Sequence, residues 1–165
     1  MGERLTKGVD IMNIFFLDYN PRENVKFYVN KHLVKMPLEY AQMLSSANRF
    51  CGLDEGYKVT HLNHPCTIWT RTCIENWRFL KDLAFLVNEE ARFRGYSYHR
   101  SLDVINSLSE PPLPSLGHLT IPPKCMPNYC KMEDLVDSYR LYYLRDKRSI
   151  ADWGKRGEPW WWIDY

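Results

Sequence analysis

Apolar residues return every three to four positions over two long stretches of this chain, and that spacing predicts two amphipathic helices. One runs from about Thr72 to Arg94, with Ile74, Trp77, Leu80 or Leu83, Ala84, Val87 and Ala91 on one face. Arg78, Lys81, Asp82, Glu89 and Arg92 fall on the other, so this helix is scaffold more than site. Thr72-Cys73-Ile74-Glu75 reads as a capping box at its start, and Gly95 as its stop. The other stretch ends at Phe50, before Gly52, and repeats Leu33, Tyr40, Leu44 and Ala47 at helical spacing. His32 and Glu39 fall beside that stripe, which places Glu39 at the edge of the core. Pro37 lies inside it and has no N–H to donate, so a kink or an opening is expected there.

Shorter signals fill in the rest. Asn13-Ile14-Phe15-Phe16-Leu17 is a brief apolar run, and Asn20-Pro21 pairs an N-cap with a proline at the first helical position, predicting a helix through about Asn30. A short helix is expected from Arg100 to Leu108. Ser109 to Cys130 holds six prolines and predicts a long loop that wraps the surface or covers a cleft. Lys131 to about Asp152 reads as the last helix, with Leu135, Val136, Tyr139, Tyr143 and Ile150 inward. The expected fold is therefore mostly α: a compact single-domain helical fold with a short N-terminal extended segment and a long proline-rich loop. Residues 1–12 are read as a flexible extension, and 13–165 as one domain with an aromatic, basic C-terminal segment. No stretch has the length and apolarity of a membrane span.

A chain of 165 residues that is 45% hydrophobic and 15% aromatic has enough apolar surface for one core. Its net charge of +2 is too small to announce a polyanion partner, so any such contact must be local. Cys51, Cys66, Cys73, Cys125 and Cys130 make an odd count without a C-x-x-C pair, which fits a reduced, cytoplasmic protein. A metal site around Cys125 and Cys130 would need His118 and a fourth ligand at unusual spacing. Free thiols are the expected state, with no metal and no cofactor. Met1-Gly2 with Thr6 matches a loose myristoylation pattern, too short to argue from.

Candidate chemistry concentrates in His32-Leu33-Val34-Lys35-Met36-Pro37-Leu38-Glu39. Two helical turns, about 10 Å, separate His32 from Glu39, so these two and Lys35 can share a face. A carboxylate tuned by such neighbours suits acid-base work at a glycosidic or phosphate centre; the plainer reading is an ordinary charge pair on a surface helix. His61 and His64 lack a third metal ligand at convincing spacing, and a loop histidine capping the next helix is the expected role. In the tail, Arg140, Arg145, Lys147, Arg148, Lys155 and Arg156 are interleaved with Tyr142, Tyr143, Trp153 and Trp160-Trp161-Trp162, a mixture that suits phosphates and exposed bases. A tyrosine core stripe with a solvated arginine face explains 139–150 equally. Three consecutive tryptophans cannot all bury on one side, so that end either docks into a groove of the domain or meets a partner.

The block from His32 to Glu39, then Asn63-His64-Pro65, then Glu89-Glu90-Ala91-Arg92-Phe93-Arg94-Gly95-Tyr96, resembles the pyrimidine-dimer DNA glycosylase family of phages and bacteria over roughly residues 13 to 100. The pattern K-H-x-V-K-M-x-x-E, N-H-P-C and W-x-R is also similar to small proteins of tailed phages, a likeness that brings no activity with it. The glycosylase resemblance implies a helical DNA-repair enzyme that cleaves an N-glycosidic bond and then the strand, after an N-terminal amine attacks the sugar to form an imine. It implies Glu39 as the catalytic carboxylate and His32 as a phosphate-contacting or structural imidazole. Lys35, Asn63, His64, Arg71, Arg140 and Arg148 are the accompanying substrate and phosphate contacts. Two departures touch the chemistry. Eleven residues precede Met12-Asn13, where the family exposes its amine, leaving Gly2 on an arm if Met1 is removed; and Leu38 stands where the family has an arginine before its glutamate. The expected function is thus DNA or nucleotide processing at an N-glycosidic or phosphate bond. The alternative is a non-catalytic protein that binds a nucleotide, a nucleic acid or a host protein, such as a counter-defence factor in the cytoplasm of a host cell. Oligomeric state stays open.

Overall fold

The computed structural model describes residues 12–163, and the helices it contains follow the polarity pattern with three shifts at their ends. The elements are α1 (Pro21–Lys26), α2 (Asn30–Phe50), α3 (Pro65–Thr70), α4 (Ile74–Phe93), α5 (Ser101–Ser107) and α6 (Leu135–Asp146). Short 3-10 turns at Asn128–Cys130, Arg148–Ile150 and Gly154–Arg156 punctuate the irregular segments. No strand occurs among the described residues, and no helix among them is long and apolar enough to cross a membrane. The extension expected over 1–12 lies, apart from Met12, outside the described residues, as do Gly2 and the myristoylation pattern.

The long helix α2 lies against α4, its most extensive partner, and also meets α3 and α5. Leu33, Tyr40, Leu44 and Ala47 of α2 face Trp77, Leu80, Ala84 and Val87 of α4 in one core, all of them fully or almost fully buried. Pro37 sits within α2 without ending it. Residues 12–17 run extended through this core. Asn24 of α1 takes the place of a neighbouring strand there: its side chain accepts from Leu17 N at 2.7 Å and donates to Phe15 O at 2.9 Å.

The shifted ends have identifiable causes. Asn20 caps α1 as expected, but the helix stops at Lys26 rather than Asn30. Arg94 draws the carbonyls of Lys26 and Tyr28 onto its guanidinium at 2.9 and 2.7 Å, and the chain restarts as α2 at Asn30. The capping box of α4 does not form, because Thr72 Oγ1 turns back to Ile68 O and Glu75 turns out to Ser115 and the amides of Leu116 and Gly117. Instead Ile74 N donates to Pro114 O at 2.9 Å, so the proline-rich loop supplies the missing acceptor. The last helix is shorter than 131–152: Asp134 accepts from Asp137 N and starts it, and the backbone leaves helical geometry after Asp146.

The proline-rich loop both wraps and covers. It is tied down at Ser109 O by Asn48, at Thr120 by Trp69 and Asn76, and at Cys125 O by Asn13. The tryptophan run divides three ways. Trp161 is buried against Phe27 and Tyr143, Trp162 packs edge-on to Trp153, and Trp160 is 78% exposed. The tail thus docks on the domain.

Candidate active site

Two turns of α2 bring His32, Lys35, Met36 and Glu39 to one side of the helix, and there they meet a cavity of about 560 Å³. Met12, Asn13 and Phe15 from the extended segment, and His64 and Pro65 from the start of α3, complete one wall. The opposite wall comes from later in the chain: Lys124, Cys125, Met126 and Pro127 of the loop, with Lys131, Tyr142 and Lys147.

Glu39 is 6% exposed and its Oε2 lies 3.5 Å from Lys35 Nζ, a pairing one turn apart on the same helix. A buried carboxylate beside an ammonium is held in place and kept away from bulk water. His32 is equally buried and is fixed on two sides: its ring stacks on Phe15 at 4.2 Å, and Nδ1 pairs with Tyr143 Oη at 2.6 Å. Burial holds the Tyr143 phenol well above its ordinary pKa, so it keeps its proton and holds the imidazole through a hydrogen bond at Nδ1.

His64 is the N-cap of α3, where Nδ1 accepts from Cys66 N at 3.1 Å, as expected for a loop histidine. Burial, helped by the neighbouring His61, lowers its pKa, so near neutral pH it offers a hydrogen bond rather than a charge. Next to it the Cys66 and Cys125 sulfurs are 3.5 Å apart. The hydrogen bond between them, with burial, raises Cys66; the same bond, helped by the charge of Lys131, lowers Cys125.

Asn13 positions the floor. Its side chain donates to Cys125 O at 2.8 Å and accepts from Tyr139 Oη at 2.8 Å and Ile14 N at 2.9 Å. With Met12 only 3% exposed, the Asn13 nitrogen is a buried peptide nitrogen whose lone pair is delocalised into the amide.

His32, Lys35, Glu39 and His64 therefore share one cavity, and four other candidates stand elsewhere. Asn63 is exposed in the turn before α3. Arg71 ends α3 with its guanidinium 4.3 Å over the Phe50 ring. Arg140 is consumed by the fold: Nε donates to Leu17 O at 2.8 Å, Nη2 pairs with Asp18 at 3.3 Å, and the plane sits against Trp160 and Trp161. Arg148 donates to Ile163 O at 2.6 Å and stacks on Trp162. Both arginines hold the tail, which is why they do not line the cavity. Lys131 was invisible as a site residue, since it follows an irregular loop with no periodicity to aim it, while Lys124, also on the wall, donates to the carbonyls of Met132 and Glu133 and so is held by the fold.

A helical domain here brings a carboxylate, two imidazoles and several lysines around one cleft. The sequence model of the family described as pyrimidine dimer DNA glycosylase matches residues 12–104, more than half of the chain, and the protein belongs to that family. No curated protein and no solved structure matches the chain. The matched span contains the wall with Glu39, His32 and His64 and stops short of the wall with the lysines.

Proposed function

We propose that this protein is a DNA glycosylase whose site is the cavity around Glu39, and that it cleaves the N-glycosidic bond of a damaged pyrimidine by hydrolysis. The observation that carries this reading is the convergence of Glu39, Lys35, His32 and His64 on one cleft. In this reading Glu39 takes a proton from the attacking water and stabilises the cationic sugar that develops as the base departs. His32, immobilised by Phe15 and Tyr143, is presented to the cleft, Lys35 stays paired with Glu39, and Lys131 and Lys147 receive phosphates flanking the lesion. The family's imine requires a free amine beside the glutamate. At position 13 the nitrogen is a peptide amide, which favours water as the nucleophile.

The test is abasic-site formation, read as alkali-labile strand scission, in duplex DNA containing a pyrimidine dimer, against undamaged duplex, with wild type and Glu39→Gln. Alkali-labile scission that disappears in Glu39→Gln supports the reading, and a borohydride-stable protein–DNA adduct overturns the hydrolytic route. A second reading, a DNA- or nucleotide-binding protein without turnover, is favoured by Leu38, which is 39% exposed where the family places an arginine. It predicts binding of the same duplex with no alkali-labile site formed by wild type.

A further inference from the structure

Three metal-binding side chains meet at the seam between the two walls of the cavity. Cys66 comes from α3 and Cys125 from the proline-rich loop, and with a ring nitrogen of His64 their donor atoms all lie within 4.8 Å of one another. Cys66 is buried, and Cys125 and His64 are half-buried at the cavity edge. Two thiolates on a tetrahedral zinc, with bonds near 2.3 Å, stand about 3.8 Å apart. A disulfide needs a separation of about 2.05 Å. The 3.5 Å between Cys66 Sγ and Cys125 Sγ is close to the first distance and far from the second.

We propose that His64, Cys66 and Cys125 form a binding site for a thiophilic divalent cation of the zinc type, with its fourth position open to the cavity. The ligand arms are already set. Cys66 is carried by a helix, while Cys125 is fixed at both ends of its residue, its carbonyl accepting from Asn13 at 2.8 Å and its amide donating to Tyr139 Oη at 3.3 Å. The cation displaces the thiol protons of Cys66 and Cys125, which pass to solvent. His64 then exchanges its cap bond to the Cys66 amide for coordination, a local rotation of one ring. Three protein ligands with one open position are the arrangement of catalytic rather than closed structural zinc sites. Such an ion also ties the proline-rich loop to α3, so it joins the two walls. This inference does not depend on the glycosylase reading.

The experiment titrates the reduced, chelator-stripped full-length protein with Co²⁺ and follows its absorption. The expected result is one equivalent bound per chain, with thiolate-to-cobalt charge transfer and the intense visible bands of a tetrahedral site, both erased by Zn²⁺. Cys66→Ser and Cys125→Ser remove the charge-transfer band, whereas Cys51→Ser, at a thiol outside the cluster, leaves it unchanged. His64→Asn keeps an N-cap acceptor and removes the ring nitrogen, so it weakens binding while circular dichroism stays that of wild type. The proposal is overturned by no tetrahedral spectrum at stoichiometric Co²⁺, by a spectrum that survives in folded Cys125→Ser, or by a Cys66–Cys125 disulfide in protein isolated and kept under reductant.

Discussion

The two walls of the cavity are built by different means. The wall inside the family match is made of helix: α2 aims His32, Lys35 and Glu39, the start of α3 aims His64, and each of these side chains is buried or half-buried. The wall beyond residue 104 is largely loop and helix end, and it contributes Lys124, Lys131 and Lys147 with Cys125. Helical periodicity fixes direction to within a fraction of a turn, so the first wall can hold a carboxylate where chemistry needs it. Lysines on a loop hold charge over a broader region, which suffices for phosphates. In the proposed reading, the chain separates the group that reacts from the groups that attract.

That division can be broken experimentally. The largest effect is expected from Glu39→Gln, which should slow abasic-site formation by roughly 10²- to 10⁴-fold while duplex affinity by fluorescence anisotropy stays near wild type. An equal loss of affinity would merge the two walls into one function. Next comes Glu90→Gln. Glu90 is buried on α4 and receives Arg94 at 2.9 Å and Arg156 at 2.8 and 2.9 Å, so it fastens the C-terminal segment to the matched region. Removing the anion from this buried cluster should cost about 3–5 kcal/mol in urea unfolding. A change within error would mean that the outer segment stands without that tie.

Lys131→Ala on the outer wall should weaken binding to damaged and undamaged duplex alike, and reduce the slope of log affinity against log salt by about 1, with the single-turnover rate unchanged. A change in rate at saturating protein would place Lys131 in the chemistry. The smallest effect concerns pH. The Ser115 hydroxyl, joined by the amides of Leu116 and Gly117, pulls the Glu75 carboxyl down to about 2. Its folded value lies below the unfolded one, so its stabilisation is present above about pH 4.5 and disappears as pH falls towards 2. Thermal melts between pH 7 and 3 should therefore fall less steeply for Glu75→Gln than for wild type; parallel curves would refute the contact.

The sequence carried the helical scaffold well where periodicity was long. The buried faces of α2 and α4 are those that Leu33 to Ala47 and Ile74 to Ala91 mark out. Local signals failed where a distant group competed for the same backbone. Arg94 ended α1 early, and the loop at Pro114 displaced Thr72 as the cap of α4. Of the site, the grouping of His32, Lys35 and Glu39 was legible because one helix carries all three. The tail arginines misled, since composition cannot tell a cation that awaits phosphate from one already bound to a carbonyl and an indole, as Arg140 and Arg148 are. The Cys66–Cys125 meeting joins residues 59 positions apart through a loop path that no spacing rule encodes.

The contact of His32 with Tyr143, and of Tyr143 with Trp161, has a consequence in time as well as in space. During synthesis the helix bearing His32 and Glu39 emerges long before residues 143 and 161 exist. Until they arrive the imidazole has Phe15 on one face and no phenol to hold Nδ1. A nascent chain can bury its first wall early, but it cannot orient its site until the ribosome has made the residues that dock beneath it. Maturation of the site is thereby tied to the making of residue 161, and a truncated product is left with a scaffold and no aimed imidazole.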